Sequence, residues 1–254
     1  MSTAPPPPAP AIKDAANIFA LGQDAVLIRF GNGQTSNPEK ALQFMGLLTA
    51  AHIAGVIEIA PSLASVQIRF APDRITRAAV ITALQTLLQP TTAPQTPPPP
   101  NRRWTIPVAF GGPSGPQLTE AATLAGITVA RAVADLTHTP LTVLAIGFAP
   151  GQPYLGHLPE NWGMPRQSAL TPNVPAGAIV VAIRQIVLFA NPSPTGWRWI
   201  GQSAFLPFDP NRRDPFALRP GDSIHFAPVD ATTIDTLRAN DPNGLGGATW
   251  EGAK

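Results

Sequence analysis

The sequence predicts an α+β protein, a small N-terminal α+β sandwich followed by a β-barrel domain. Three observations lead there. Residues 12–89 carry strand and helix patterns in the order ββαββα, residues 90–101 are dense in proline, and from about Leu141 short apolar runs recur between turns. A chain of 254 residues, 44% of them hydrophobic, is long enough to bury two cores. Only 13% of residues are charged, and Lys+Arg 17 against Asp+Glu 15 leave a net charge of +2. No basic run or aromatic-interleaved basic stripe is present, so nucleic acid is not an expected partner.

The elements follow in order. Residues 1–11, MSTAPPPPAPA, read as a disordered Pro-rich tail. NIFALGQDAVLIRFG splits at GQD into a hairpin. In NPEKALQFMGLLTAAHIAG, Asn37 stands at the N-cap, Pro38 at the first helical position, Glu39 in the first turn and Gly55 past the end. Leu42, Met45, Leu48 and His52 or Ile53 recur there at helical spacing. VIEIAPSLASVQIRFAP is a second hairpin, broken at PSL. DRITRAAVITALQTLLQ is a second helix, with Asp73 as cap and Ile75, Ala79, Leu84, Leu87 and Leu88 turned inward. Residues 90–101 read as a linker, because proline fixes φ and has no N–H to donate.

Residues 102–232 form the expected barrel domain. RRWTIPVAFGG opens it as a strand, and two short helices follow, each with a Ser or Thr at its cap and Gly126 closing the first. LTVLAIGF, GAIVVAI, QIVLFA, WRWIGQSA and DSIHFAPV are the strands of a closed or nearly closed barrel. Residues 233–254 read as a fraying C-terminal tail with one short helix.

Composition excludes several chemistries. With no cysteine there is no disulfide, thiolate metal site or Cys nucleophile. The histidines, His52, His138, His157 and His225, lack metal-ligand spacing, so no metal site is expected. No apolar stretch is long enough to span a bilayer and the N-terminus lacks a signal-peptide pattern, so the cytoplasm is expected and a membrane is not. Walker, G-x-G-x-x-G, G-x-S-x-G and kinase motifs are missing.

Two loops carry candidate site residues. GFAPGQPYLG holds the only tyrosine, Tyr154, in a Pro/Gly run read as neither helix nor regular strand. Its Gly147, Gly151 and Gly156 allow a backbone to approach a ligand closely, and its N–H groups can form an oxyanion-binding concavity. MPRQSALTPNVPAG offers Arg166, suited to holding a carboxylate or phosphate, and the VPAG turn with Pro175, Ala176 and Gly177. Trp197 and Trp199 share one face of a strand, and Asp222 serves a turn.

The ordered series GFAPGQPYL, MPR, VPAG, Arg184–Gln185, SPTGWRWIGQS and RPGDSIHF resembles one family, over residues 18 to 230. It is similar to the group of B-type subunits of 5-oxoprolinase, also called allophanate hydrolase subunit 1 or Kip-type kinase inhibitors. The resemblance implies that the barrel is cyclophilin-like. It also implies a partner barrel paralogue of the C-type or Kip-antagonist kind, a third lactam-utilisation subunit, and ATP-dependent opening of 5-oxoproline to glutamate. Two alternatives come with it, an inhibitor that binds a sensor histidine kinase and a carboxyltransferase subunit of a urea carboxylase-like system. Mapped here, it assigns catalysis to Tyr154 and Arg166, and substrate binding to Gly147, Phe148, Pro150, Gly151, Pro175, Ala176, Gly177, Gln185, Gly196 and Trp197. Backbone N–H groups of the 147–156 loop and the 175–177 turn would then polarise the carbonyl oxygen. The chain departs from the family pattern at Gln152 for Phe, Pro113 and Gln117 for two acids, Leu136 for His, Thr171 for Arg, Phe189 for Tyr and Thr195 for Gly.

Overall fold

The computed structural model describes residues 16–31, 37–89, 102–241 and 243–252; the Pro-rich tail and linker expected at 1–11 and 90–101 lie outside them. The chain divides into two compact units, residues 1–94 and 95–254.

In the first unit, strands β1 (Ala16–Leu21), β2 (Ala25–Phe30), β3 (Val56–Ser62) and β4 (Ser65–Phe70) form one antiparallel sheet in the order β1-β2-β4-β3. Helices α1 (Pro38–Ala51) and α2 (Arg77–Leu87) share a core with it. Alternation along β2 and β4 turns Val26, Ile28, Val66 and Ile68 inward, where they meet Phe44, Leu48, Val80 and Leu84. The buried stripe of α1 is Ala41, Phe44 and Leu48, one step round from the expected Leu42 and Met45, which are only half-buried. Asn37 caps α1 as expected, accepting the Lys40 N–H at 3.1 Å. Thr76, not Asp73, caps α2, because its hydroxyl is the group that reaches the Ala79 N–H; Ala79 itself is exposed.

The second unit is a closed barrel. Its strands are β5 (Arg102–Phe110), β6 (Leu141–Ile146), β7 (Pro153–Gly156), β9 (Ala178–Ala182), β10 (Gln185–Leu188), β12 (Arg198–Gln202) and β13 (Ser223–Pro228). The intervening β8 (Thr171–Val174) and β11 (Ser193–Thr195) pair separately as a small two-stranded sheet. Around the ring the order is β12-β9-β10-β7-β6-β13-β5, and β5 returns to β12 through Phe110 and Ala109 opposite Gly201 and Gln202. All neighbours are antiparallel except β13 on β5. Helices α3 (Leu118–Leu124) and α4 (Val129–His138) add Leu118, Ala121, Ala132 and Leu136 to the interior core. Thr128 caps α4, whereas α3 starts after Gln117 with no side-chain cap, since that carboxamide is engaged elsewhere.

Two stretches differ from expectation. Residues 153–156 are a regular strand, because β6 and β10 flank them and take up their backbone groups. The tail expected to fray instead forms α5 (Ala231–Ala239) and β14 (Thr249–Gly252). At nine residues β5 outruns its pairing with β12, and β14 occupies the rest of that edge from Arg102 to Thr105. Trp250 packs there beside Trp104, with the Arg102 guanidinium 5.3 Å and 5.6 Å from the Trp104 and Trp250 ring centroids.

Arg102 also grips Asp222 with Nε at 3.1 Å and Nη2 at 2.6 Å, and Asp222 accepts the Arg219 N–H at 2.8 Å. Asp222 has no exposed surface, and the turn role expected for it holds. Replacing Asp222 by Ala leaves a mostly buried guanidinium without its partner, so a stability loss of about 3–5 kcal/mol is expected in urea unfolding. A loss below about 1 kcal/mol contradicts this account.

Candidate functional site

The wall made by β7, β10, β9 and β12 is apolar on both faces. Leu155, Ile179, Val181, Ile186, Leu188 and Ile200 point into the barrel core. Their neighbours Ala178, Val180, Ala182 and Val187 point the other way, into a second cluster with Val174, Phe189, Trp197, Tyr154 and Trp199. On this outer face lies a depression of about 340 Å³. Tyr154, Val187, Phe189 and Trp197 line it from the wall side, Phe148 and Gln152 come from the 147–152 loop, and Arg166, Gln167, Leu170 and Pro194–Gly196 complete the rim.

Tyr154 and Trp197 meet edge to face, with ring centroids 6.2 Å apart. The Arg166 guanidinium carbon sits 5.5 Å from the Trp197 ring centroid, and Arg166 has no ion pair among the described residues. The Tyr154 hydroxyl makes no hydrogen bond to them. Among the described residues no acid and no histidine lines the depression.

The segment carrying Arg166 is tied down from below. Arg198, buried in β12, donates from Nη1 to the Pro165 carbonyl at 2.7 Å and from Nε to Glu120 at 2.8 Å. Gln117 accepts the Trp199 N–H at 2.9 Å and donates to Gln167 Oε1 at 2.7 Å. Gln167 in turn donates its side-chain N–H to the Trp197 carbonyl at 3.0 Å and its backbone N–H to Gly196 at 2.7 Å. Thr195 accepts the Trp197 N–H at 3.0 Å. Gln117 and Thr195, read from the sequence only as departures from a pattern, are therefore the fasteners of this rim.

Of the residues singled out in the sequence, Phe148, Tyr154, Arg166, Gly196 and Trp197 come together here. Gly147, Pro150, Gly151, Pro175, Ala176, Gly177 and Gln185 do not line the depression. Gly151, at φ +69, lets Phe208 pack close, since an added Cβ would lie 2.6 Å from the Phe208 Cβ. Gly177, at φ +79, packs on Ser203, whose carbonyl oxygen an added Cβ would strike. Its N–H is bonded to the Phe189 carbonyl, as the Gly147 N–H is to that of Gln152. Gln185 is buried at the start of β10. Leu136 lies in the barrel core and His138 is exposed at the end of α4, its Nδ1 2.8 Å from the Ala134 carbonyl. Sequence reasoning missed Gln167 and Leu170, and it gave Gln152 no role; their polar and apolar faces become meaningful only once β8 and β11 fold over the wall.

The family model for the carboxyltransferase domain, subdomain C and D, matches residues 16–218. The chain belongs to this family. A relative from Escherichia coli O157:H7, named as the B-type subunit of 5-oxoprolinase, is 39% identical over 123 residues, which are 48% of this chain and 56% of the relative. The chain spans about half the length of the curated relatives that it matches. Among solved structures, TTHA0988 superposes with a TM-score of 0.65 at 29% identity, over 82% of this chain and 40% of that one. The urea amidolyase of K. lactis matches at a TM-score of 0.70 and 15% identity, over 95% of this chain and 17% of that one, which is a likeness of fold. Among the described residues no helix is long and apolar enough to cross a membrane, and no three His, Asp or Glu side chains cluster to hold a metal.

If Arg198 holds the Arg166 segment through the Pro165 carbonyl, Arg198→Met speeds amide exchange at Gln167 while β9 and β10 stay protected. Glu120→Ala, which removes a half-exposed partner, changes stability by less than about 1 kcal/mol. Unaltered exchange at Gln167 in the Arg198 variant contradicts the tether.

Proposed function

We propose that this chain is the substrate-holding subunit of a 5-oxoprolinase-type complex, supplying one half of a cleft for a small lactam carboxylate. One observation carries the reading: Arg166, without an acid partner among the described residues, lies over Trp197 at the rim of an aromatic depression. A planar cation on an aromatic face, beside apolar walls, suits a carboxylate attached to a small ring. Tyr154 offers a hydroxyl to a neighbouring oxygen. The depression is near the small end of ligand pockets, which run from about 300 to 1,000 Å³. The relatives named as B-type 5-oxoprolinase subunits support the same class.

ATP, which the family resemblance brings with it, does not fit these residues. A triphosphate needs several cations or a cradle of free N–H groups, and the depression offers one arginine. The Gly147 and Gly177 N–H groups are already bonded to carbonyls. No step through ATP is therefore assigned to this chain. Among the described residues no carboxylate or imidazole lines the site, so Tyr154 is its one candidate proton carrier and the remaining groups that open the ring come from a partner. Phe148, 79% exposed at φ +70, and Leu170, 65% exposed, stand on the rim with their apolar surface uncovered. They favour a barrel paralogue of the C-type or Kip-antagonist kind as the second wall, in a cytoplasmic assembly. The urea amidolyase likeness keeps a carboxyltransferase subunit as the second reading, on fold alone.

The test is reconstitution. The chain alone is expected to release no glutamate from 5-oxoproline, and the chain with a C-type barrel partner and the third lactam-utilisation subunit to do so when ATP is present. Arg166→Ala in that complex should raise KM about 30-fold, corresponding to roughly 2 kcal/mol for a carboxylate held in a covered cleft, without a shift in Tm. Tyr154→Phe should cost a few-fold. No glutamate from any such pairing, or a Tm loss with unaltered kinetics, overturns the proposal.

A further inference from the structure

The loop that precedes β7 places one polar side chain where an apolar one would pack. Gln152 is 2% exposed, yet it lines the depression beside Tyr154 and Phe189. The Ala190 N–H points at its Oε1 from 3.5 Å, which orients the carboxamide with its oxygen toward the backbone. The carboxamide nitrogen then has no hydrogen-bond acceptor among the described residues, and it is not one of their fully buried unpartnered atoms, so it opens onto the depression. Such an N–H is satisfied by water while the depression is open, and covering it is costly unless the covering group accepts it.

Three of the backbone donors expected to polarise a bound carbonyl are already engaged. The Gly147 N–H is bonded to Gln152, the Gln152 N–H to Ala149, and the Gly177 N–H to Phe189. The neutral donors that remain at the depression include the Gln152 carboxamide and the Tyr154 hydroxyl, and Arg166 supplies the charge. Three donors with no lining acid fit a ligand that is acceptor-rich, with a carboxylate at one end and a carbonyl at the other.

We infer that Gln152 is a specificity-determining residue that donates its side-chain N–H to the ring carbonyl oxygen of the ligand, while Arg166 holds the carboxylate. This rests on the lactam-carboxylate reading above and adds which atom of the lactam is read, and by what. A site built to hydrogen-bond a carbonyl rejects an analogue that lacks it, because its own donor is then left buried and unpaired. An apolar side chain at position 152 removes that penalty and the selectivity with it.

The experiment is calorimetric titration of the full chain, alone and with its reconstituted partner, against three carboxylates. These are 5-oxoproline, 3-oxocyclopentanecarboxylate, which keeps the carbonyl and lacks the ring N–H, and cyclopentanecarboxylate, which lacks both. The wild type is expected to prefer the two carbonyl-bearing ligands by roughly 30-fold. Gln152→Met should lower that preference to within a few-fold while still binding cyclopentanecarboxylate. Gln152→Glu, which replaces the donor by an anion, should lose all three ligands, and both variants should keep the wild-type circular dichroism melt. A full preference retained in Gln152→Met, at a matching melt, overturns this inference alone. A variant that melts early moves the comparison to Gln152→Asn, whose shortened donor should also lose the preference; retention there overturns the inference equally. If the wild type binds none of the three in either state, the lactam-carboxylate reading falls as well.

Discussion

Burial of both faces of the β7–β10–β9–β12 wall is the constraint on which the second unit depends. A strand covered on one side alternates apolar and polar residues, but here every residue of β9 and β10 is buried. One set closes the barrel core and the other anchors the small β8–β11 sheet and the segment carrying Arg166. The candidate site is therefore an outer surface of the barrel, not its mouth. The wall gives that surface a rigid apolar floor, and irregular segments bring the polar groups to its edge.

This division of labour explains how the site can be orderly while much of its rim is coil. Arg198 and the paired carboxamides of Gln117 and Gln167 satisfy backbone groups that would otherwise be stranded between two sheets. Each fastener ends on a main-chain atom of the rim or the wall, so rim and wall share one set of hydrogen bonds. Tyr154, Arg166 and the Gln152 carboxamide nitrogen also face the depression and take no part in that network.

Much of the fold was legible in the sequence because it follows from period and punctuation. The ββαββα order, the Asn37 cap and the barrel strands all rest on local signals that nothing distant overrides. The errors have physical causes. Asp73 looked like a cap because it is acidic and early, but a cap must reach the N–H three residues on, and Thr76 does so. The tail beyond α5 carries turn residues, and only the free edge of β5 makes a strand of it. At the candidate site, Arg166, Tyr154 and Trp197 could be named from residue type and motif, whereas the 175–177 turn could not be placed, since its packing on Ser203 is long-range. Gln152 was visible as an oddity, and its meaning needed the position of the Ala190 N–H.

The parallel pairing of β13 with β5 brings Ser223–Pro228 beside Arg103–Val108, more than a hundred residues back along the chain. Every strand of the first sheet, by contrast, lies beside a neighbour from its own hairpin or the adjoining one. During synthesis the first unit can thus complete its pairing as soon as it emerges, while the nascent barrel stays an open, curled sheet until its late strands leave the ribosome. Closure is then a single long-range event, and chaperone dependence in the cell should fall on that unit.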